Sequence, residues 1–452
     1  MSTDINRRAA LAGAAALASA SAASAATARR PYRVGVIGVG WFGMLDLHAL
    51  MAIAPVEVVA FCDVDADRLA HNAAAIPSRR DTVTPQRRAP ATYADYREML
   101  RRHRFDIVIV ATPDHWHALA GVAAMNAGAN VYLEKPICVD IVEGRALVAA
   151  ARANNVTVTC GTQRRTTPAF IEAKERYVRT GRLGKIAMVE VASYLHQRPP
   201  HVPPDGPPPP HLDWDMYCGP ARLIPYNYVM HQAFPPQWRA FMNFCNGYVG
   251  DVGVHFIDAA RWMLDLGAPT HVSAEGAVLV DTASTSDVPD TMTATWDFDG
   301  VMMTWLNRQW GRGPAGESWG AAIHGDQGSL RLFNDSYDFV PVEGDRVVGA
   351  APAEPGTYSQ DAELRDYERP LIKLTRGNMR DFIAAIEQGH RPASDVESVN
   401  VSTSCCILAN TAMKLGRPLR WDGAAGRYVG DDEANGLLAR PYRAPWTHPG
   451  AA

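Results

Sequence analysis

The sequence predicts an α/β chain of two domains, the first with a doubly wound parallel sheet and the second a largely antiparallel, open-sheet α+β domain. Three observations predict this. Strand-like and helix-like patterns alternate to about residue 155, a glycine-rich turn joins the first strand to the first helix, and the polar–apolar alternation typical of antiparallel strands follows. We therefore divide the chain into an N-terminal arm (1–30), a parallel-sheet domain (31–155) and a second domain (156–452).

The glycine-rich turn, Gly-Val-Gly-Trp-Phe-Gly at residues 38–43, follows an apolar run at 34–37 and precedes a helical pattern at 44–52. A second apolar run at 56–61 leads to Asp63, about 20 residues after the last glycine. A strand, a G-x-G-x-x-G turn, a helix and a following acid are typical of a Rossmann domain that binds a dinucleotide. A glycine turn without a cofactor is the alternative interpretation.

Each part of this turn has a physical role in binding a dinucleotide. Gly38 permits the tight turn, Gly40 lets the backbone approach a pyrophosphate, and Gly43 allows the helix to pack against the strand. The first N–H groups of the helix favour phosphate, so Trp41 and Phe42 should also border the cofactor.

Asp63 and Arg68 bear on the choice of dinucleotide. Asp63 can accept hydrogen bonds from the adenosine ribose and would repel a 2′-phosphate. Arg68 lies five residues later and would weaken that preference. We therefore expect tightly bound NAD rather than NADP.

Two more apolar runs, 106–111 and 130–133, predict parallel strands whose following loops open on the same edge of the sheet. The loops are Thr-Pro-Asp-His-Trp-His at 112–117 and Glu-Lys-Pro at 134–136. The residues that we expect to line the cofactor cleft from these loops are Thr112, Pro113, His117, Glu134 and Lys135.

The composition excludes several other classes of protein. The 20% of charged residues and the net charge of −4 are ordinary for a globular protein and give no electrostatic case for nucleic acid. No apolar run is long enough to predict a membrane span. The seven cysteines show no metal-ligand spacing and several lie in apolar runs, so we expect buried thiols.

The N-terminal arm has the pattern of an export signal. Arg7 and Arg8 precede a weakly apolar, alanine-rich segment, and residues 23–25 fit a small-residue cleavage site. This pattern is typical of twin-arginine signals, which export folded proteins, and it predicts a periplasmic location. A simple alanine-rich arm is the alternative.

The second domain shows strand patterns and then a helical one. A hairpin is predicted where Asp299-Gly300 separates two strand-like runs, and Trp296 and Phe298 should lie in the sheet core. An open sheet of this kind would suit a homo-oligomer. The predicted strands are 185–194, 291–298, 301–306 and 321–332, the last interrupted by a Gly-Asp-Gln-Gly turn at 325–328. The helical pattern spans 379–415, and residues 199–210 form a proline-rich loop.

The chain resembles the Gfo/Idh/MocA family, named for glucose–fructose oxidoreductase and inositol dehydrogenase. The resemblance rests on the turn at 38–43, on Ala-Thr-Pro-Asp-His-Trp-His at 111–117, on Glu-Lys-Pro at 134–136 and on Gly-Asp-Val-Gly-Val-His-Phe-Ile-Asp at 250–258. It implies an NAD(P)-dependent oxidoreductase that acts on a sugar or polyol, with Lys135, Asp251 and His255 as the catalytic and substrate-binding set. Some members resemble glycosidases that keep NAD bound and oxidise the sugar transiently.

The residue types in this set fit hydride transfer from an alcohol. Asp251, His255 and Asp258 stand at i, i+4 and i+7, which share one face of a helix. His255 can take the hydroxyl proton, Asp251 can orient its ring, and Lys135 can stabilise the alkoxide. The alternatives are a helix-capping Asp251, a structural His255, a metal site with Asp258, and a non-catalytic sugar-binding protein.

Three further residues are weaker candidates. Gln163 and Arg164 follow a β-like run at 156–160, so we expect Gln163 to reach the cofactor and Arg164 the substrate. Tyr226 is the aromatic residue that we expect to stack on a sugar ring, with Tyr194, Trp214 and Trp238 as others of the same type. For the arginine the alternative is a surface ion pair, and for the aromatic residues it is core packing.

Overall fold

The structure is a computed structural model that describes residues 30–197, 204–314, 318–350, 352, 354 and 356–450. The export pattern and part of the proline-rich loop lie outside these residues. Across the described ranges, no helix combines the length and the apolar character that a membrane crossing requires.

The strands in chain order are β1 Tyr32–Ile37, β2 Val56–Cys62, β3 Ala91–Tyr93, β4 Ile107–Val110, β5 Asn130–Leu133, β6 Val158–Cys160, β7 Ile186–Ser193, β8 His271–Ala277, β9 Thr291–Asp297, β10 Met302–Arg308, β11 Trp319–Gly325, β12 Gly328–Leu332, β13 Ser336–Pro341, β14 Val347–Ala350, β15 Leu419–Asp422 and β16 Arg427–Tyr428. The α-helices are α1 Trp41–Ile53, α2 Ala66–Ala75, α3 Tyr96–Arg102, α4 His117–Asn126, α5 Ile141–Asn154, α6 Pro168–Ala173, α7 Trp214–Cys218, α8 Tyr228–His231, α9 Val254–Leu264, α10 Glu368–Gln388, α11 Val396–Leu415 and α12 Asp432–Asn435.

The first six strands form one parallel sheet in the order β3-β2-β1-β4-β5-β6. Its central strands are fully buried, since every residue of β4 is covered on both faces. The strand order reverses between β1 and β4, and this switch point is where parallel α/β sheets bind ligands. The predicted doubly wound domain is therefore confirmed.

The other ten strands form a second sheet in the order β14-β13-β12-β11-β7-β10-β9-β8-β15-β16. Its neighbours run antiparallel except for the parallel pair of β7 and β10. The β9–β10 hairpin closes as predicted: Asp299 and Gly300 have φ angles of 57° and 107°, and the Phe298 N–H donates to the Val301 carbonyl at 2.9 Å. The largely antiparallel second domain is thus confirmed, with Trp296 and Phe298 in its core.

The helical pattern at 379–415 corresponds to two helices rather than one. Helix α10 ends where Gly389 takes the left-handed conformation, with φ of 69°, and α11 begins at the Asp395 cap, whose carboxylate accepts from the Glu397 N–H. Helix α10 packs against α1, so an element from late in the chain covers the first domain. The seven cysteines are buried and unpaired, as predicted.

Candidate active site

The glycine turn forms a tight cradle at the end of β1. Gly38 has φ of +87°, and a Cβ there would lie 2.6 Å from the Ala111 carbonyl oxygen. A Cβ on Gly43 would lie 1.9 Å from the Gly38 carbonyl oxygen, so both glycines are required for packing. A Cβ on Gly40 would meet only an Arg68 nitrogen, at 3.8 Å, because this glycine faces the open cleft. The backbone beside Gly40 is therefore free to receive a pyrophosphate.

Asp63 lies at the carboxyl end of β2 beside the same turn. Its two carboxylate oxygens accept the Val39 and Asp65 N–H groups, each at 3.0 Å, so the side chain is held in place. Burial raises the pKa of this carboxyl above its usual value. Arg68 Nη1 lies 4.0 Å from Asp63 Oδ2. The predicted ribose acceptor thus stands at the cleft with one cation beside it.

The two domains together line a cleft that runs along the carboxyl ends of the parallel strands. The predicted cofactor residues that line it are Gly38, Gly40, Trp41, Phe42, Asp63, Arg68, Thr112, Pro113, His117, Glu134 and Lys135. The second domain contributes a set that we call the cofactor cover: Met216, Tyr217, His231, Pro236, Trp238 and Arg239. The open cradle at Gly40 and the carboxylate at Asp63 fit an adenine dinucleotide, whose pyrophosphate and adenosine ribose those two residues would hold.

His117 links the two loops that were predicted to flank the cofactor. Its ring nitrogens lie 2.7 Å from the Pro136 carbonyl oxygen and 2.9 Å from that of Thr112. Burial lowers the pKa of His117 to about 4, and the two carbonyl oxygens oppose this shift because each stabilises an N–H of the ring. The histidine therefore fixes the spacing between the loop after β4 and the loop that carries Lys135.

Lys135 and Asp251 form the central ion pair of the cleft. Lys135 Nζ donates to the carboxylate Oδ1 and to the backbone carbonyl of Asp251, each at 2.9 Å. Arg239 Nε lies 3.3 Å from the same carboxylate oxygen. Burial alone would raise the pKa of Asp251, but the charges of Lys135 and Arg239 hold it below its usual value. The ammonium of Lys135 is thus fixed at the end of the cofactor cleft.

His255 is partly exposed, and it lies close enough to Lys135 for that charge to act on its ring. Its Nδ1 is buried and has no hydrogen-bond partner among the described residues. Burial, and then the positive charges of Arg164 and Lys135, lower the pKa of the imidazole well below 6.5. The ring is therefore neutral near pH 7 and able to accept a proton.

The structure corrects the helix face predicted for Asp251, His255 and Asp258. Residues Val249–Gly253 form a π-helical turn, whose wider repeat changes the directions of the side chains on either side of it. Asp251 consequently bonds to Lys135 and not to the His255 ring. Asp258 is fully buried, and its carboxylate binds Arg165 at 2.5 and 2.8 Å. This geometry gives no support to a metal site that includes Asp258.

The predicted site residues that do not line the cleft are Gly43, Gln163, Arg164, Tyr226 and His255. Gln163 is buried beside Tyr132, and Tyr226 packs edge-on against Trp214 with ring centroids 5.1 Å apart. Arg164 lies between the rings of Phe256 and Trp319. Tyr226 thus takes the core-packing role that was the alternative to sugar stacking.

Sequence reasoning missed two residues of the site. Arg239 binds Asp251, and Trp319 lies against the ring of His255 with centroids 5.5 Å apart. Neither belongs to a local motif, because both reach the site through the fold of the second domain. A further buried acid, Asp114, lies in the predicted loop at 112–117, and burial raises its pKa well above the usual value.

The parallel sheet, the glycine cradle and the two-domain cleft define a dinucleotide-binding protein of the oxidoreductase type. Profiles of one family match successive parts of the chain: "Oxidoreductase family, NAD-binding Rossmann fold" at residues 32–162, "GFO/IDH/MocA C-terminal domain" at 219–331 and "Oxidoreductase family, C-terminal alpha/beta domain" at 361–448. The chain belongs to the Gfo/Idh/MocA family.

Individual relatives fall into two groups. The chain is 34% identical over 123 residues to glycosyl hydrolase family 109 protein 1 of Shewanella sp. strain MR-4, a match that covers 26% of each chain. Among solved structures it is similar to an aldose–aldose oxidoreductase of Caulobacter crescentus, with a TM-score of 0.63, 16% identity, and 86% of this chain and 100% of that one covered. It is also similar to an inositol dehydrogenase homologue of Azotobacter vinelandii complexed with NADH and myo-inositol, with a TM-score of 0.62, 19% identity, and 87% and 98% covered. The chain thus matches about a quarter of the length of the glycosyl hydrolase family 109 protein. The two solved structures have the same fold as this chain.

Proposed function

We propose that this protein transfers a hydride between a nicotinamide dinucleotide and a hydroxyl or carbonyl group of a sugar or polyol. The observation that carries the proposal is the Lys135–Asp251 ion pair in the lining of the cofactor cleft, whose Lys135 charge acts on the nearby His255 and lowers the pKa of its imidazole. The family and the inositol dehydrogenase homologue of the same fold support this class of reaction.

In the oxidative direction, His255 takes the proton of the substrate hydroxyl. Lys135 donates a hydrogen bond to the same oxygen and stabilises the negative charge that develops there. Asp251 acts through Lys135, because its carboxylate and carbonyl oxygens hold the ammonium in place. The dinucleotide, when bound, supplies the hydride acceptor. In the reverse direction the protonated His255 returns the proton to the carbonyl oxygen.

We propose NAD as the cofactor and expect it to be retained tightly. The carboxylate of Asp63 lines the cleft beside the glycine turn, where it can accept hydrogen bonds from an adenosine ribose and would repel a 2′-phosphate. Arg68, whose Nη1 lies 4.0 Å from that carboxylate, would weaken the repulsion. The cofactor cover lines the cleft from the side of the second domain. Contacts from that cover would slow release of the dinucleotide.

A glycosidase that keeps NAD bound and oxidises the sugar transiently is the second candidate. The 34% identity to a glycosyl hydrolase family 109 protein favours it, although the match covers about a quarter of either chain. The two candidates differ in the net reaction. The oxidoreductase leaves oxidised sugar and reduced cofactor, whereas the glycosidase releases the aglycone with no net change in the cofactor.

We also propose that the protein is exported in folded form and forms homo-oligomers. The paired Arg7 and Arg8 support export, since a folded protein can carry its cofactor with it. Met302 and Leu306 are 51% and 39% exposed on β10, an interior strand, and these apolar side chains on the open face of the second sheet support self-association. Replacing both arginines by lysine should leave the protein in the cytoplasm, whereas normal periplasmic accumulation would contradict export.

The experiment that tests the function combines cofactor and product analysis. The purified protein is incubated with a panel of sugars, polyols and aryl glycosides, and the reduced nicotinamide and the released phenol are measured in parallel. Reduction without phenol release supports the oxidoreductase. Phenol release with the cofactor unchanged supports the glycosidase, and neither reaction with any compound would contradict both.

A further inference from the structure

Arg164 is a buried cation with an incomplete set of partners. It is 2% exposed, and its guanidinium carbon lies 4.6 Å and 4.4 Å from the ring centroids of Phe256 and Trp319. Its one side-chain hydrogen bond within the described structure is donated by Nη2 to Asn334 Oδ1, at 3.1 Å. Its Nε is buried and has no partner there. A neutral amide is thus its sole hydrogen-bonded neighbour.

The other buried arginines of the described ranges differ from Arg164 in this respect. Arg165 binds the Asp258 carboxylate with two nitrogens, and Arg376 binds Glu354 and Asp361. Arg261 donates to three backbone carbonyls and to a serine hydroxyl. A guanidinium can make five such bonds, and its burial is costly unless charge or acceptors compensate it. The Arg164 guanidinium therefore has N–H donors that no acceptor of the described residues uses.

The acids nearest to Arg164 do not compensate it. Asp258 is committed to Arg165 and to the Ser402 hydroxyl, and no described acid lies within ion-pair distance of Arg164. Asp335 acts on it only through space, from an exposed loop. Its positive charge accordingly stands without a direct counter-ion.

This charge lies next to the proposed reaction centre. Trp319 contacts both the Arg164 guanidinium and the His255 ring, so the tryptophan joins the two groups. Lys135 and Arg239 share the carboxylate of Asp251. Asp114 and Glu134 line the same cleft, and burial raises the pKa of both carboxyls, which favours their uncharged forms and so an excess of positive charge there. An oxidised nicotinamide ring, when bound, would add one further positive charge.

We propose that Arg164 binds an acidic group of the substrate, so that the preferred substrates are acidic sugars, such as uronic or aldonic acids, rather than neutral ones. This inference rests on the proposed function, because it places the substrate at His255. A planar guanidinium can bind a carboxylate through two parallel hydrogen bonds. The rings of Phe256 and Trp319 pack against the guanidinium of Arg164 and would hold it in one orientation for such bonds. The acid would supply the counter-ion that the protein itself lacks.

Binding is measured by tryptophan fluorescence, because Trp319 lies against the proposed subsite. NAD-loaded protein is titrated with four hexuronates and four aldonates, each paired with its neutral parent sugar. We expect at least one acid to bind about tenfold or more tightly than its parent, as for hydrogen bonds to a charged group. The proposal is overturned if no acid binds more tightly than its parent.

Variants then assign the preference to Arg164. Arg164→Gln should remove the preference for the acid, and Arg164→Lys, which keeps the charge without the planar fork, should retain part of it. Arg176→Gln, the same change at an exposed arginine, should leave it intact. An acid preference that persists in Arg164→Gln would overturn the proposal. If Arg164→Gln does not fold, the proposal is tested by Arg164→Lys and by the affinities of wild-type protein for each acid and its neutral parent sugar.

A separate measurement of reduced nicotinamide distinguishes the Arg164 subsite from the proposed oxidoreductase activity on which it rests. Tight binding of an acid without reduction would leave the Arg164 subsite standing and would contradict the proposed oxidoreductase. Reduction of the cofactor by neutral sugars, with no tighter binding of acids, would support the oxidoreductase and overturn the Arg164 subsite.

Discussion

Lys135 owes its place in the cleft to partners that are far away in the sequence. Asp251, 116 residues along the chain, binds its ammonium through both carboxylate and carbonyl oxygens. Arg239 shares that carboxylate, and the charges of Lys135 and Arg239 hold the pKa of Asp251 below its usual value. At the scale of residues, the site therefore consists of a fixed cation and a neutral imidazole.

Replacing Lys135 by methionine tests the role of the cation. The change keeps most of the side-chain volume and removes the charge, so we expect hydride transfer to fall by about 10²- to 10³-fold, as for other lost oxyanion donors. NAD binding should persist, because the cradle is untouched. The measurements are single-turnover reduction and dinucleotide content, with Lys373→Met on an exposed helix face as the matched control. Wild-type turnover in Lys135→Met would contradict the assignment.

The pH dependence tests the role of His255. A base must be unprotonated, and burial with the charges of Arg164 and Lys135 holds the pKa of His255 well below 6.5. We therefore expect kcat/KM to stay level as pH falls through 6.5 and to decline only in more acidic solution. Arg164→Gln removes one of those charges, so it should move the decline to higher pH, whereas Arg176→Gln should not. A profile that falls near pH 6.5 in the wild type would count against this environment for His255.

At the scale of elements, two glycines of the turn between β1 and α1 have different roles, Gly43 in packing and Gly40 in cofactor binding. Gly43 lies against the Gly38 carbonyl, whereas Gly40 faces open space. The same substitution at the two positions should therefore have different effects, although both belong to a single sequence motif.

Gly43→Ala should destabilise the protein by about 1–3 kcal/mol or more, because the new Cβ overlaps the backbone oxygen of Gly38. Gly40→Ala should leave thermal unfolding nearly unchanged and weaken NAD binding, because its Cβ enters the space for the pyrophosphate. Differential scanning calorimetry and NAD titration of the two variants make the comparison. Equal NAD affinity in Gly40→Ala and the wild type would show that the pyrophosphate lies elsewhere.

At the scale of the whole molecule, the second domain closes over the first. His211 binds the Asp65 carboxylate at 3.0 Å, and its carbonyl accepts the Ala66 N–H at 2.9 Å. Phe234 packs against Trp41 beside the glycine turn, with ring centroids 5.1 Å apart. These contacts hold the cofactor cover in place.

Trp238→Ala should loosen that cover. Trp238 is 9% exposed and lines the cleft next to Arg239, so we expect its removal to speed dissociation of NAD and to lower the cofactor content of the purified protein. Trp310→Ala, at a tryptophan that is 38% exposed and does not line the cleft, is the control. The measurement is release of dinucleotide into a large excess of labelled NAD. Unchanged release would mean that the cover does not limit exchange.

The features that could be predicted from sequence are those in which neighbouring residues carry the information. The glycine turn, Asp63 and the loop with Lys135 follow directly from strand ends, and the Asp299-Gly300 hairpin follows from residues that tolerate positive φ. Arg239 and Trp319 could not be predicted, because only tertiary packing brings them to Asp251 and His255. The spacing predicts that Asp251 orients the His255 ring, and this prediction is wrong because Asp251 binds Lys135 instead. Spacings of four and seven assume a regular α-helix, whereas a π-helical turn lies at Val249–Gly253.

The central claim is hydride transfer at Lys135 and His255, and single-turnover absorbance of reduced nicotinamide tests it most directly. NAD-loaded wild-type protein is mixed with neutral and acidic sugars and polyols, beside Lys135→Met and His255→Ala. We expect at least one compound to reduce the cofactor in the wild type, and both variants to lose this reaction while they retain bound dinucleotide. Full reduction in either variant, or none by any compound in the wild type, would contradict the account.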